Sequence, residues 1–247
     1  SLAGNVSATA DKSLTIDAGV TAQEDVTLSS TNDTVSVNKA VTSVTGNISA
    51  TANKALTIGA DVLAQEDVTL TSTNDTVSVN KAVTSVTGNI SATAYKSLTI
   101  GADVLAQKDV TLSSTNDAVS VDKAVTSVTG NVSATANKSL TIGANVLAQK
   151  DVTLASTSDA VSVNKAVTSV TGNISATANK FLTIGADVLA QKDVTLSSTN
   201  DAVSVNSAVT SVTGNVSATA DRSLTIGADI LAQKDVTLQS KSANVKV

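Results

Sequence analysis

GNISATANKALTIGADVLAQ (residues 46–65) is followed directly by EDVTLTSTNDTVSVNKAVTSVT (residues 66–87), and the two stretches together make one 42-residue unit. A regular repeat of this size predicts a solenoid, a propeller or a related array. We treat residues 1–247 as one repeat domain, and we expect it to be a fragment of a longer chain because it begins in mid-unit. The Gly-Asn pair that opens each unit recurs every 42 residues, at Gly4, Gly46, Gly88, Gly130, Gly172 and Gly214.

Each unit divides again into two similar halves. Residues 46–65 align with residues 66–87 when one gap is placed at the first corner, which brings Ile48 over Val68 and Leu56 over Val77. The underlying period is therefore about 21 residues, in alternating forms of 20 and 22. Within each half, short segments alternate apolar and polar residues, which is typical of half-buried strands. Asn-Lys and Asn-Asp pairs separate these segments and predict corners, because Asn favours turns.

Three short strands per 21 residues, each with one apolar face, predict one coil of a parallel β-helix. Strands of successive coils would pair about 4.8 Å apart, so roughly twelve coils would form a rod ~55 Å long. The interior of one unit would hold aliphatic side chains, stacked like on like with their copies in the other units. These predicted core residues are Ile48, Leu56, Ile58, Val62, Val68, Leu70, Val77, Val79 and Val83.

Charged residues provide partly independent support for this alignment, which was made on apolar positions. One column alternates in sign at every coil, and such opposite pairs are favourable by up to ~1 kcal/mol each. A neighbouring column alternates Asn47, Asp67, Asn89 and Asp109, so that no two Asp residues are adjacent. The alternating charge ladder comprises Lys12, Asp33, Lys54, Asp75, Lys96, Asp117, Lys138, Asp159, Lys180, Asp201 and Arg222.

The composition restricts the classes of fold and partner. The 247 residues include no Cys, His, Pro, Met or Trp, one Tyr and one Phe, and the net charge is −5. A core without aromatic rings must be narrow, and a net negative chain is a poor partner for nucleic acid. No apolar run reaches the ~20 residues that span a bilayer, so we expect no membrane insertion. A propeller would need aromatic signatures, and leucine-rich repeats and immunoglobulin-like modules fail on motif and length.

The segments GNISATANK (residues 46–54) and DVTLSSTNDAVSV (residues 109–121) resemble the haemagglutinin repeats of filamentous haemagglutinin-type adhesins. Those adhesins are large exoproteins of two-partner secretion. The resemblance covers essentially the whole chain and implies a right-handed, triangular β-helix. It also implies the shaft of a surface-exposed or secreted adhesin, located outside the cell or on a bacterial surface.

Candidate chemical sites receive little support from the sequence. Every acid recurs with the repeat, there is no His for acid–base work near neutral pH, and no aromatic platform for a sugar is present, so we expect no enzyme and no cofactor. The calcium-binding nonapeptide of β-rolls is absent, and we expect no metal site. Outward Ser and Thr rows, such as Ser49, Thr51, Thr69 and Thr71, leave ice binding open as an alternative function.

Asn-x-Ser and Asn-x-Thr triplets are formal acceptors for N-glycosylation, although Asn, Ser and Thr are so abundant here that chance explains them as well. Asn-Asp-Thr occurs at Asn32 and Asn74. The Asn-x-Ser triplets recur once in each unit, at Asn5, Asn47, Asn89, Asn131, Asn173 and Asn215.

Apolar residues outside the alternation raise the question of self-association. Leu63 directly follows Val62, so either Leu63 faces outward or the chain bends there with both side chains inside, and we favour the bend. An outward row would be a natural site for lateral association, and an unpaired strand edge would be one for end-to-end association. The predicted function is a structural shaft or a self-assembling extracellular fibre, with host-cell, neighbouring-cell or glycan contacts made by other parts. The row comprises Leu63, Leu105, Leu147, Leu189 and Leu231.

Overall fold

The computed structural model of the chain describes residues 4–247, and within this range every regular element is a β-strand. The strands are numbered β1–β35 in chain order and form three parallel sheets, which we name A, B and C. The chain passes from sheet A to B to C and then returns to A one coil further along. Eleven complete coils and a partial twelfth result, because sheets A and B hold 12 strands each and sheet C holds 11.

Sheet A contains the longest strands, of five residues each. They are β1 (Val6–Ala10), β4 (Val26–Ser30), β7 (Ile48–Ala52), β10 (Val68–Ser72), β13 (Ile90–Ala94), β16 (Val110–Ser114), β19 (Val132–Ala136), β22 (Val152–Ser156), β25 (Ile174–Ala178), β28 (Val194–Ser198), β31 (Val216–Ala220) and β34 (Val236–Ser240).

Sheets B and C contain three-residue strands, except for the two-residue β35. Sheet B comprises β2 (Leu14–Ile16), β5 (Val35–Val37), β8 (Leu56–Ile58), β11 (Val77–Val79), β14 (Leu98–Ile100), β17 (Val119–Val121), β20 (Leu140–Ile142), β23 (Val161–Val163), β26 (Leu182–Ile184), β29 (Val203–Val205), β32 (Leu224–Ile226) and β35 (Val245–Lys246). Sheet C comprises β3 (Val20–Ala22), β6 (Val41–Ser43), β9 (Val62–Ala64), β12 (Val83–Ser85), β15 (Val104–Ala106), β18 (Val125–Ser127), β21 (Val146–Ala148), β24 (Val167–Ser169), β27 (Val188–Ala190), β30 (Val209–Ser211) and β33 (Ile230–Ala232).

The prediction of a β-solenoid with about 21 residues per coil is confirmed. The register agrees with the sequence alignment, since Ile48 pairs with Val68, Leu56 with Val77 and Val62 with Val83. Period-2 alternation explains the pattern, because every second side chain of a strand points to the same face of its sheet.

One continuous aliphatic core runs along the axis between the three sheets. All nine residues named from the sequence as core lie in it, each at most 1% exposed. Stacking like on like occurs between Val62 and Val83, but as a general rule it is wrong. Most columns alternate two sizes, as in sheet A, where Leu70 pairs with Ala50 on one side and Ala92 on the other. Alternating sizes let adjacent coils share a narrow interior without voids.

Coil length alternates because the corners differ in length. We call residues 46–65 and their copies short coils, and residues 66–87 and their copies long coils. Between sheets A and B, three residues separate Ala52 from Leu56 in the short coil, and four separate Ser72 from Val77 in the long coil. The sequence alignment placed this extra residue correctly at the first corner. A second extra residue lies between sheet C and the next sheet A strand, where four residues separate Ser85 from Ile90.

Candidate functional site

Buried serines close the four-residue corners. Ser72 donates a hydrogen bond from Oγ to the carbonyl oxygen of Lys54 in the preceding coil, and accepts one from the backbone N–H of Asp75 at 3.0 Å. Ser85 does the same with the carbonyl of Glu66 and the N–H of Gly88, the latter at 3.0 Å. Ser is therefore found where a strand precedes a longer corner, and Ala where it precedes a shorter one.

These serines were missed in the sequence analysis, although a signal for them was present. Ser72 continues the inward positions Val68 and Leu70, and Ser85 continues from Val83, so period 2 alone places both hydroxyls inside. Each hydroxyl satisfies one carbonyl and one N–H that the longer corner would otherwise leave buried without a partner. The members of this set are Ser30, Ser43, Ser72, Ser85, Ser114, Ser127, Ser156, Ser169, Ser198 and Ser211.

A ladder of Asn and Asp runs along the corner between sheets C and A. The backbone N–H and side-chain amide of Asn47 both donate to Oδ1 of Asp25, at 2.8 and 3.0 Å. In the next coil, the backbone N–H of Asp67 donates to Oδ1 of Asn47 at 3.0 Å. The alternation predicted for this column thus corresponds to hydrogen bonds that continue from coil to coil.

The glycine that precedes each ladder Asn is required by close approach. A Cβ at Gly88 would lie 2.7 Å from the carbonyl carbon of Glu66 and closer still to the carboxylate of Asp67. Gly88 also donates its N–H to the Ser85 hydroxyl, so the backbone there is fixed from two sides. The Gly-Asn pair that marks the repeat is therefore a packing requirement of this corner.

Hydrogen bonds lower the pKa of ladder carboxyls. The pKa of Asp25 lies below its usual value, first because the backbone N–H of Asn47 donates to it and second because the Asn47 side chain does. The pKa of Asp193 is lowered in the same way, chiefly by the backbone N–H of Asn215. Both groups are stabilised in their charged form, because donors to a carboxylate favour ionisation.

The predicted charge ladder lies at the corner between sheets A and B, where it forms ion pairs on one side only. Lys54 Nζ is 3.3 Å from Oδ1 of Asp33 in the preceding coil. Toward the following coil, the extra corner residue places Asn74 over Asn53, with their side chains hydrogen-bonded at 3.2 Å. Within residues 4–247 the ion pairs are Lys54–Asp33, Lys96–Asp75, Lys138–Asp117, Lys180–Asp159 and Arg222–Asp201.

The ion pairs join neighbouring 42-residue units, since Lys54 belongs to the unit that starts at Gly46 and Asp33 to the unit before it. The pKa of Asp33 is also lowered, first by a hydrogen bond from the Ser13 hydroxyl at 2.9 Å and then by one from Lys54. Because the Lys side chains are at least half exposed, each pair stabilises the fold only slightly.

The outer face of sheet A is lined mainly by Ser and Thr side chains, and we call it the hydroxyl field. Two outward columns cross its strands, and in β10 they are occupied by Thr69 and Thr71. Most other positions hold Ser or Thr, with Ala155 and Gln239 as departures in the second column. No charged side chain lies on this face within residues 4–247, so the face offers hydroxyls, one methyl group at Ala155 and one amide at Gln239.

The outer face of sheet C is partly apolar, and the preference for an inward bend at Leu63 is wrong. Leu63 is 40% exposed, while Val62 and Ala64 beside it are buried. Strict alternation holds through β9, so the second of two adjacent apolar residues faces outward. Tyr95 and Phe181 are also exposed, at the corner that leads into sheet B.

Most of the asparagines that are formal glycosylation acceptors form hydrogen bonds in the ladder between sheets C and A. The side-chain nitrogen of Asn47 donates to Asp25, and its side-chain oxygen accepts from Asp67. The same arrangement recurs at Asn89, Asn131, Asn173 and Asn215. Asn5 accepts a hydrogen bond from the N–H of Asp25, while Asn74 is hydrogen-bonded to Asn53. Because both the side-chain nitrogen and the side-chain oxygen of Asn47 have partners in the ladder, we expect these asparagines to be structural in the folded chain.

Residues 4–247 contain no cluster of three or more metal-ligating side chains and no helix long and apolar enough to cross a membrane. No protein-family model, curated protein or solved structure matches the sequence.

Proposed function

We propose that this chain is a structural rod of an extracellular or cell-surface fibre, such as the shaft of an adhesin. The observation that carries the proposal is the uniform stacking of coils. Equivalent strands of successive coils pair in the same parallel register at every coil boundary, from β1 to β35. Each additional 42-residue unit therefore extends the rod by two strand spacings, or ~10 Å. Such a rod holds other parts of a longer protein away from its anchor.

The resemblance to haemagglutinin repeats supports the same role. In that role, contacts with host cells, neighbouring cells or glycans belong to other parts of the protein, and this chain sets distance and stiffness. The repetition also supports a non-catalytic role. Each acidic side chain has copies in the other units, whereas a catalytic groove depends on a locally unique set of residues.

Surface labelling tests the proposed location. A membrane-impermeant amine reagent is applied to intact cells that make the protein, and labelled peptides are found by mass spectrometry. We expect labelling of exposed lysines such as Lys81 and Lys123 before lysis. Labelling that requires lysis would contradict the proposal, and a cytoplasmic protein measured in the same sample controls for leakage.

Ice binding is a second candidate, favoured by the hydroxyl field on sheet A. Its rows repeat at the strand spacing across 12 strands and carry no charge within residues 4–247. An ice-binding protein would show thermal hysteresis in dilute solution, and Thr71→Lys with Thr93→Lys would abolish it. The rod proposal predicts no hysteresis for the unaltered chain.

A further inference from the structure

Adjacent coils meet at two kinds of boundary, which differ in their side-chain contacts. We call the boundary between the short and the long coil of one unit the inner junction, and the boundary between a long coil and the short coil of the next unit the outer junction. Strand pairing does not distinguish them, because five residue pairs in sheet A and three each in sheets B and C form at both. The difference lies in the corners.

A buried hydroxyl crosses every inner junction. Ser72 in the long coil is 2% exposed and donates from Oγ to the carbonyl of Lys54 in the short coil of the same unit. This hydrogen bond is largely shielded from water, where it is electrostatically stronger, and it must break before the two coils separate. The corresponding serines of the other units are Ser30, Ser114, Ser156, Ser198 and Ser240.

A threonine adds a second contact to the inner junction. Thr87 of the long coil donates both its backbone N–H, at 2.8 Å, and its hydroxyl, at 2.7 Å, to the carbonyl of Gln65 in the short coil. At the outer junction, Gln107 bonds to the carbonyl of Ser85 through its backbone N–H at 3.1 Å. The same Thr contact is made by Thr45, Thr129, Thr171 and Thr213.

The outer junction depends on charged side chains near the surface. Lys96 Nζ lies 3.2 Å from Oδ1 of Asp75, but the Lys side chain is 50% exposed and such a pair contributes little. The corner ladder adds the two hydrogen bonds from Asn89 to Oδ1 of Asp67. The ladder does not belong to this junction alone, because the N–H of Asp67 donates to Asn47 across the inner junction.

The second set of buried serines does not hold the outer junction. The Ser85 hydroxyl donates to the carbonyl of Glu66, which belongs to the same long coil. It accepts from the N–H of Gly88, three residues further along the same corner. Ser85 therefore closes its own coil, whereas Ser72 joins two coils. Inner junctions are thus the stronger ones, and stronger and weaker junctions alternate along the rod.

We propose that the rod yields under tension in whole 42-residue units. A coil pulled from either end is held by an inner junction. Once that junction breaks, the next one is an outer junction, which gives way at once, and the rod then holds at the following inner junction. Each coil contacts only its neighbours, so the remaining units stay folded. This property does not depend on where the protein acts.

Optical tweezers test the step size when one handle is attached to each end of the chain. A unit of 42 residues extends by ~130–140 Å when it leaves the rod, whereas a single coil extends by ~65–70 Å. We expect the longer steps to predominate. Steps that are mostly of single-coil length, or one rupture of the whole chain, would overturn the proposal.

A serine variant tests what makes the inner junctions stronger. Ser72→Ala, Ser114→Ala and Ser156→Ala are combined, and single-coil steps should become the majority in these units. The matched control combines Ser85→Ala, Ser127→Ala and Ser169→Ala, which removes equally buried hydroxyls that bond within one coil. The control should yield at lower force but still in 42-residue steps. Equal step sizes in the two variants would refute the role given to Ser72.

A lysine variant tests the outer junctions through exposed residues alone, so the fold should be kept. It combines Lys54→Gln, Lys96→Gln, Lys138→Gln and Lys180→Gln, which removes ion pairs between units. We expect 42-residue steps at a force within about a tenth of that of the unaltered chain, since surface ion pairs contribute little and these junctions do not limit the step. A clear fall in force would show that the outer junctions are the stronger ones and would contradict the proposal.

Discussion

At the scale of the residue, the fold depends on a few polar positions that the repeat reproduces. Ser127 is 1% exposed and links the Lys108 carbonyl to the N–H of Gly130. A buried backbone group left without a partner costs ~1–3 kcal/mol. These hydroxyls therefore have a structural role that their small size does not suggest.

Ser127→Ala should lower the free energy of unfolding by ~2 kcal/mol, since it leaves a buried carbonyl and N–H unpaired. Urea denaturation followed by circular dichroism measures the change. Ser120→Ala, on the outer face of sheet B in the same coil, is the control and should change stability by less than ~0.5 kcal/mol. Equal effects of the two substitutions would contradict the role given to the buried serines.

Gly130→Ala should lower the free energy of unfolding by ~1–3 kcal/mol, because its Cβ would lie 2.7 Å from the carbonyl carbon of Lys108. Gly59→Ala is the matched control, because its nearest neighbours would be 3.5 Å away. At such a site Ala restricts the unfolded chain, so Gly59→Ala should leave stability unchanged or raise it by up to ~1 kcal/mol. The melting temperatures of both variants measure the difference, and destabilisation by Gly59→Ala alone would refute this assignment.

At the scale of the element, alternation explains both what sequence could predict and what it missed. Aliphatic residues at every second position fixed the strands, their register and the core, because in a sheet one face must be buried. The same rule placed Ser72 and Ser85 inside, but a polar residue is not recognised as core without knowing its partner. The inward position, favoured for Leu63 because Leu is apolar, was wrong, since its place between Val62 and Ala64 in β9 turns its side chain outward. The one-sided ion pairs depend on corner geometry, which spacing alone does not define.

Size alternation within the sheet A column gives a prediction about packing. Leu112 pairs with Ala92 and Ala134 in the adjacent coils. Leu112→Ala should lower the free energy of unfolding by ~2–5 kcal/mol, since it opens a cavity. Combining it with Ala92→Leu conserves volume and should recover part of the loss. Urea denaturation of the single and double variants measures this, and a double variant less stable than Leu112→Ala would show that each coil has a fixed size requirement.

At the scale of the whole molecule, the two-coil unit is the smallest piece that can be removed without changing the contacts at each boundary. Deleting residues 88–129 removes one unit of 42 residues and leaves Asp67 beside Asn131, which repeats the native ladder. Deleting residues 88–107 removes one short coil and leaves Asp67 beside Asp109, with Lys108 at the position that requires Gly88.

The 42-residue deletion should therefore unfold at nearly the urea concentration of the unaltered chain, and the shorter deletion at a clearly lower one. Circular dichroism during urea titration measures both midpoints. If the chain that lacks one short coil were more stable than the chain that lacks a whole unit, the proposed reason for the two-coil unit would be wrong. That reason is that two coils keep Asp residues apart and place Gly at the corner that requires it.

Acid should destabilise the rod as a whole. The pKa values of Asp25 and Asp193 are lower in the folded chain than the value of about 4 in an unfolded one. These groups contribute stability above that pH, and the contribution is lost as the pH falls through their lower folded pKa values. The free energy of unfolding should thus decrease below about pH 4. Asp193→Asn should show a smaller decrease, and stability that rises on acidification would contradict the assignment.

We propose that this chain is a rod outside the cell, and immunogold electron microscopy of intact cells can show whether it is. Antibodies against the folded chain are applied without permeabilisation to cells that make the protein. We expect gold particles on the surface or on fibres that project from it, with discrete projections for a shaft and indefinite fibres for a polymer. Gold that appears only inside permeabilised cells would contradict a location outside the cell.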